Sequence, residues 1–274
     1  DQPRSRGLGD VYKRQGWNDP LVLTTIIGGV ILVALFIWRQ SKLETPLLNF
    51  SVFKNTQFTI GILIMAVTMV SMIGSETVLP MFVQNLLNRT PLDSGLILLP
   101  GAIVMAIMSF ASGGLYEKFG AKPLALIGMM IVIITTGYFV IMDENTSSVM
   151  LATVYGIRMI GIALGLMPVM THTMNQLTYE MNAHGSSMTN TVQQIAGSIG
   201  TAILITILTQ ASKHYSPDMS NYDGMKRSEM LGQIKIDTLL HGYHAGFLFA
   251  VIITVVSFLC SFMLKKNTKS TEEQ

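Results

Sequence analysis

Charge is scarce in this chain. Only 12% of its 274 residues are Asp, Glu, Lys or Arg, about half the ~25% usual in soluble domains. Half the residues are apolar, mean hydropathy is +0.48, and the apolar residues are gathered in runs. A soluble class is excluded, and the chain reads as an integral membrane protein. Cysteine is almost absent. The single Cys260 rules out an internal disulfide and a thiolate metal site, and reads as a small apolar residue in the last run. The net charge of +2, with its bases in loops and no interleaved aromatics, excludes nucleic acid as a partner. No HExxH, GxSG, Walker or Rossmann glycine sequence occurs, so nothing points to an enzyme, a cofactor or a metal. His241 and His244 stand three apart without nearby carboxylates and read as interfacial side chains.

What the chain has is seven apolar runs: Leu21–Trp38, Phe58–Leu79 with a continuation toward Leu87, Ser94–Leu115, Pro123–Met142, Val149–Met170, Val192–Ala211 and His244–Leu264. Each is near the ~20 residues that cross a bilayer, so the fold class is an all-α membrane protein of seven transmembrane helices. The links are mostly short, so successive helices are expected to be antiparallel neighbours. Residues 1–15 are polar and basic, lack a signal-peptide apolar region, and are set aside as a non-native or disordered segment. Residues 16–57 hold the first span and a linker. Within Leu43–Gln57, Leu47, Phe50 and Phe53 or Lys54 recur at helical spacing, which predicts a short amphipathic helix in the interface. Residues 58–266 hold the other six spans and 267–274 a tail.

Orientation follows from the turn Glu117–Pro123. Gly120 can supply a positive φ there, and Lys118 and Lys122 put the turn on the cytoplasmic side. Arg39, Lys42, Lys54, Lys265, Lys266 and Lys269 then fall on the same side, whereas the short outer links hold only Arg89 and the acids Asp143 and Glu144. The C-terminus is expected in the cytoplasm.

Ionisable side chains at membrane depth are costly and mark function. Arg158 lies inside the fifth run and Glu76 toward the outer part of the second. If the second helix runs past Pro80, the two reach comparable depth and could pair across a cavity. A carboxylate in a partly dry cavity can take up and release a proton near neutral pH, so Glu76, with Arg158, is the candidate for proton coupling. Structural roles, a snorkelling Arg158 and a Glu76 reaching outer water, stay open. Two polar stripes accompany them: Thr68, Ser71 and Ser75 in the second run, and Asn190, Gln194, Ser198 and Thr201 in the sixth, with Gln193 beside it. Such stripes line a watery cavity or join helices. Thr68, Ser71, Ser75, Asn190, Gln193 and Gln194 are the candidates for lining a cavity, which is favoured for Gln194, and a helix contact is favoured for Ser198. Gly161 and Gly165 read as a packing face, and Pro100 and Pro168 as kinks. Twenty methionines suit an apolar pocket that takes varied cargo.

The turn Gly113-Gly114-Leu115-Tyr116-Glu117-Lys118-Phe119-Gly120-Ala121-Lys122 resembles the G-x-L-a-D-r-x-G-r-k signature of the major facilitator superfamily. Glu117 takes the Asp position and Ala121 replaces a usual base. In that family the motif is a cytoplasmic gate element whose acid braces a neighbouring helix end, which implies a gating role for Gly113, Glu117, Lys118, Gly120 and Lys122. The stretches PLLNFSVFKNTQF, SGLILLPGAIVMAIMSFASGGL and NAHGSSMTNTVQQIAGSIGTAI are similar to segments of fourteen-helix drug:proton antiporters, of the multidrug and lincomycin-resistance type. The resemblance implies a C-terminal six-helix bundle plus one preceding helix, in a bacterial plasma membrane. It implies proton-driven export of apolar or cationic drug-like molecules by alternating access. Alternating access needs two bundles, so the chain is expected to be a C-terminal portion whose N-terminal helices are missing. A same-fold transporter of a metabolite or lipid-like molecule, and an inert membrane module, remain as alternatives. A retinal protein does not, since the last span has no lysine for a Schiff base.

Overall fold

A computed structural model describes residues 20–40, 42–43, 49–217, 222, 224 and 226–265. The 1–15 segment and the 267–274 tail lie outside the described residues. The chain divides at Phe50 into two units, each taken by itself. The first holds α1, Pro20–Gln40, which is apolar on every side. Arg39 closes its last turn, where a cation suits the helix dipole, and the Lys42 ammonium lies 4.9 Å over the Trp38 ring.

The second unit is a bundle of six long helices: α2 Thr56–Asn85, α3 Pro91–Phe119, α4 Ala121–Val140, α5 Ser148–Met174, α6 Asn182–His214 and α7 Arg227–Ser261. All seven helices are long and apolar enough to cross a membrane. Within Leu43–Gln57, where an amphipathic helix is expected, the described residues form a 3-10 turn, Phe50–Lys54, and residues 44–48, Leu47 among them, lie outside the described residues. Asn55 stops the turn from running into the span: its side chain caps α2 through Gln57 N and Phe58 N, and donates to the Gln176 carbonyl at 2.8 Å.

Local sequence sets the other boundaries. Helix α2 continues through Pro80 to Asn85, as the second run suggests. Proline lacks the N–H that the Glu76 carbonyl would accept, so one rung of the helix ladder is missing at that turn. Thr90 and Asp93 form a capping box that starts α3, with Pro91 in its first turn. At its far end Gly120, at φ 78°, turns the chain in one residue and α4 begins.

Successive helices pack closely in two cases, α4 on α5 and α6 on α7, but not in the other three. Helix α5 packs on α3, α4 and α2, while α2 packs on α6, α7 and α5; α2–α3, α3–α4 and α5–α6 touch at few points. Loop length limits how far apart two helix ends lie, but the small-residue faces choose the partner. A Cβ on Gly128 of α4 would stand 2.5 Å from the Gly161 carbonyl oxygen and from Gly165 N of α5. Gly161 and Gly165 are therefore the packing face predicted for them. Gly200 of α6 lies equally close to the Val70 backbone of α2. Helices α2 and α5 are the most deeply buried, and Phe82, Phe139, Phe247 and Tyr243 are among the largest fully buried side chains.

Candidate functional site

Arg158 is the largest side chain that the bundle buries completely. An unpaired buried cation is costly, so its partners matter. Nε donates to Thr136 Oγ1 of α4 at 3.3 Å, and Nη2 reaches the Ser71 carbonyl oxygen of α2 at 3.5 Å. Nη1 is buried with no partner among the described residues. Arg158 thus sits where α2, α4 and α5 meet, with both N–H donors of Nη1 unspent among the described residues.

Glu76 is half-buried on α2, five residues beyond Ser71. At 1.5 Å per residue that is about 7.5 Å further along the axis. The two groups lie within each other's electrostatic field, but neither hydrogen bond of the guanidinium goes to the carboxylate. The direct pair that equal depth would allow is not formed, because Arg158 is level with Ser71. Tyr155, one turn before Arg158, shares this field. Its ring lies against Gly101 of α3, where a Cβ would stand 2.3 Å from the ring edge.

The stripe on α2 does not line a cavity. Thr68, Ser71 and Ser75 are all buried. Thr68 Oγ1 and Ser257 Oγ share a hydrogen bond of 2.8 Å, and Ser71 Oγ and Thr254 Oγ1 one of 2.7 Å. Ser71 also donates to the Ala250 carbonyl at 3.1 Å. Ser75 turns back to the Ser71 carbonyl. The stripe faces a matching one on α7, so two of its hydroxyls join helices, which corrects the cavity role expected of them.

Helix α6 is the opposite case. Asn190, Gln194 and Ser198 are exposed on the bundle surface. Ser198 donates only to its own helix, at the Gln194 carbonyl, so the helix contact expected of it is not made within the bundle. Gln193 is half-buried, with Nε2 3.3 Å from the sulfur of Met65.

In the turn between α3 and α4, Gly113, Glu117 and Lys118 are exposed. Among the described residues it is Lys122 that braces a helix end. Its Nζ donates at 2.6 Å to the Phe262 carbonyl, at the C-terminus of α7. Glu117, which the family pattern implies for that task, makes no hydrogen bond among them. The two histidines go separate ways: His244 Nε2 meets the Met142 carbonyl, and His241 lies against the Tyr215 ring.

Sequence reasoning missed Thr136, Tyr155, Thr254 and Ser257. Signals existed for three of them. Tyr155 stands one turn from Arg158, and Thr254 and Ser257 fall on one helical face. Thr136, in an apolar run, carried none.

The family model described as Major Facilitator Superfamily matches residues 10–201. Among curated relatives, the uncharacterised MFS-type transporter YcnB of Bacillus subtilis (strain 168) is 36% identical over 94% of this chain and 52% of its own length. The uncharacterised MFS-type transporter YhcA of the same organism is 44% identical over 73% of this chain and 38% of its own. The lincomycin resistance protein LmrB of Listeria innocua is 32% identical over 92% and 52%. The chain spans about half the length, or less, of these relatives.

Proposed function

The chain belongs to the Major Facilitator Superfamily, and from that premise we propose that it forms the C-terminal portion of a proton-coupled exporter of apolar or cationic drug-like molecules. The observation that carries the proposal is the buried Arg158 with an unspent donor, in whose field the half-buried Glu76 lies. Protonation of Glu76 removes an anion facing that cation and so changes the balance across α2 and α5. The break in the ladder at Pro80, one turn from Glu76, lets α2 respond by bending. A likeness to a relative named for lincomycin resistance supports a drug-like cargo.

Transport by alternating access also needs a second bundle and a midplane site. The exposed amides of Asn190 and Gln194 support such an arrangement, since polar groups facing hydrocarbon are unsatisfied. We place the cargo against that face of α6, with Gln193 at its edge, and the Lys118–Lys122 turn at the cytoplasmic gate of a bacterial plasma membrane. The test is Glu76→Gln in the complete transporter, read as drug efflux from energised cells and as proton flux in vesicles. Loss of proton-driven export with cargo binding kept is expected. Export at the normal rate would reject the coupling role.

A further inference from the structure

At the end of the bundle away from Gly120, a furrow runs between the first turns of α3 and α5. Its wider, more open part, about 510 Å³, is lined by Leu96, Ile97, Pro100 and Ala152. A smaller, more enclosed part of about 340 Å³ continues it past Arg89, Ser148 and Val149 to Glu144 and the loop after it. The open part is mainly apolar and the enclosed part polar. Its walls include Leu96 and Val149, exposed by 56% and 76% in the bundle taken by itself. Uncovered apolar side chains on membrane-spanning helices suit an acyl chain.

The polar end carries charges of both signs. Arg89 is exposed, and its guanidinium makes no hydrogen bond among the described residues. Asp93 spends one carboxylate oxygen on the N–H and hydroxyl of Thr90. Glu144 lines the opposite side and is not hydrogen-bonded among the described residues. The walls are fixed in advance by their own bonds. Asn88, at φ 51°, and the bond from Arg89 N to the Val83 carbonyl hold one side. On the other, Asp143 accepts from Asn145 N and Thr146 Oγ1. A preformed site binds without an ordering cost.

We propose that this furrow is a binding site for a zwitterionic aminophospholipid, its phosphate on Arg89, its ammonium on Glu144 and Asp93, and an acyl chain along Leu96, Ile97 and Pro100. Charge complementarity selects this headgroup. A purely anionic lipid would satisfy Arg89 but stand against two carboxylates, and a choline headgroup has no N–H to donate to Glu144. The site is independent of the transport reading, because it involves neither Glu76 nor Arg158.

The test uses the purified full chain in mild detergent, offered equal amounts of phosphatidylethanolamine, phosphatidylglycerol and phosphatidylcholine, with retained lipid read by native mass spectrometry. Preferential retention of phosphatidylethanolamine is expected. Arg89→Ala should lower it about tenfold, the worth of one charge-assisted contact. Thr153→Trp, at an exposed position of the wall, should block it, and Glu144→Gln should erase the preference over phosphatidylglycerol while leaving phosphate-dependent binding. Arg89 and Thr153 are both exposed, so neither change burdens folding. Equal retention of the three lipids by the unaltered chain, or retention unmoved by both Arg89→Ala and Thr153→Trp, would overturn the proposal.

Discussion

Gly128→Ala adds one methyl group and should unfasten α4 from α5. The new Cβ would lie 2.5 Å from the Gly161 carbonyl oxygen, 2.5 Å from Gly165 N and 2.9 Å from Gly165 Cα. All three are backbone atoms, so no side chain can turn aside. Ordinary van der Waals contact starts near 3.4 Å, and the two helices must part by about one ångström. A gap of that size forfeits roughly a quarter to a half of each dispersion contact along the seam. Overpacking costs about 1–3 kcal/mol even where side chains can yield. Better helix propensity returns at most ~1 kcal/mol. The net expectation is a loss of about 2 kcal/mol or more. Gly137→Ala is the matched control, on the same helix, with nothing within 4 Å of its added Cβ. The assay is reversible unfolding in mixed micelles, followed by helical circular dichroism against the fraction of denaturing detergent. Gly128→Ala as stable as the parent, or Gly137→Ala equally harmful, would refute the reasoning.

Arg158→Met should leave stability unchanged or raise it, because an apolar side chain of similar length removes a buried charge with an unspent donor; the same unfolding assay reads this, and efflux by the complete transporter should vanish. A double-mutant cycle between Ser71→Ala and Thr254→Val should give a coupling of about 0.6 kcal/mol and no more than ~1.7 kcal/mol, the range for hydroxyl pairs between helices in a membrane. Lys122→Gln should loosen the end of α7, seen as faster amide exchange over Leu259–Leu264, since the Phe262 carbonyl loses its charged donor. A cysteine at Lys118, with Cys260 replaced by serine, should react with an impermeant maleimide only from the cytoplasmic side; labelling from outside would invert the topology.

The helices were readable because a bilayer span is a local property: about twenty apolar residues declare it without any knowledge of neighbours. The Gly120 turn was readable for the same reason, as was the Gly161–Gly165 face, whose spacing alone brings two small residues to one side. Glu76 and Arg158 stood out as charges in apolar runs. Their relative height did not, since it depends on how α2 slides along α5, which is set by packing such as that of Gly61 of α2 against Thr173 of α5. Periodicity showed that Thr68, Ser71 and Ser75 share a face but not where the face points. That needed Thr254 and Ser257, some 180 residues away. In the linker, Phe50 and Phe53 satisfy a 3-10 turn as well as an α-helix, and Asn55 caps the next helix directly after that turn.

Beyond Pro80 the last turn of α2 is fastened to α7. Phe82 meets the Tyr243 ring edge-on at 5.3 Å, and Asn85 Nδ2 donates to the Tyr243 hydroxyl at 3.2 Å. The segment from Pro80 to Asn85 is a lever of about 7.5 Å, pivoted at the turn that lacks a rung and gripped at its tip. A bend at the Pro80 turn is therefore felt at Tyr243, on the helix that Thr68 and Ser71 already fasten to α2 below the pivot.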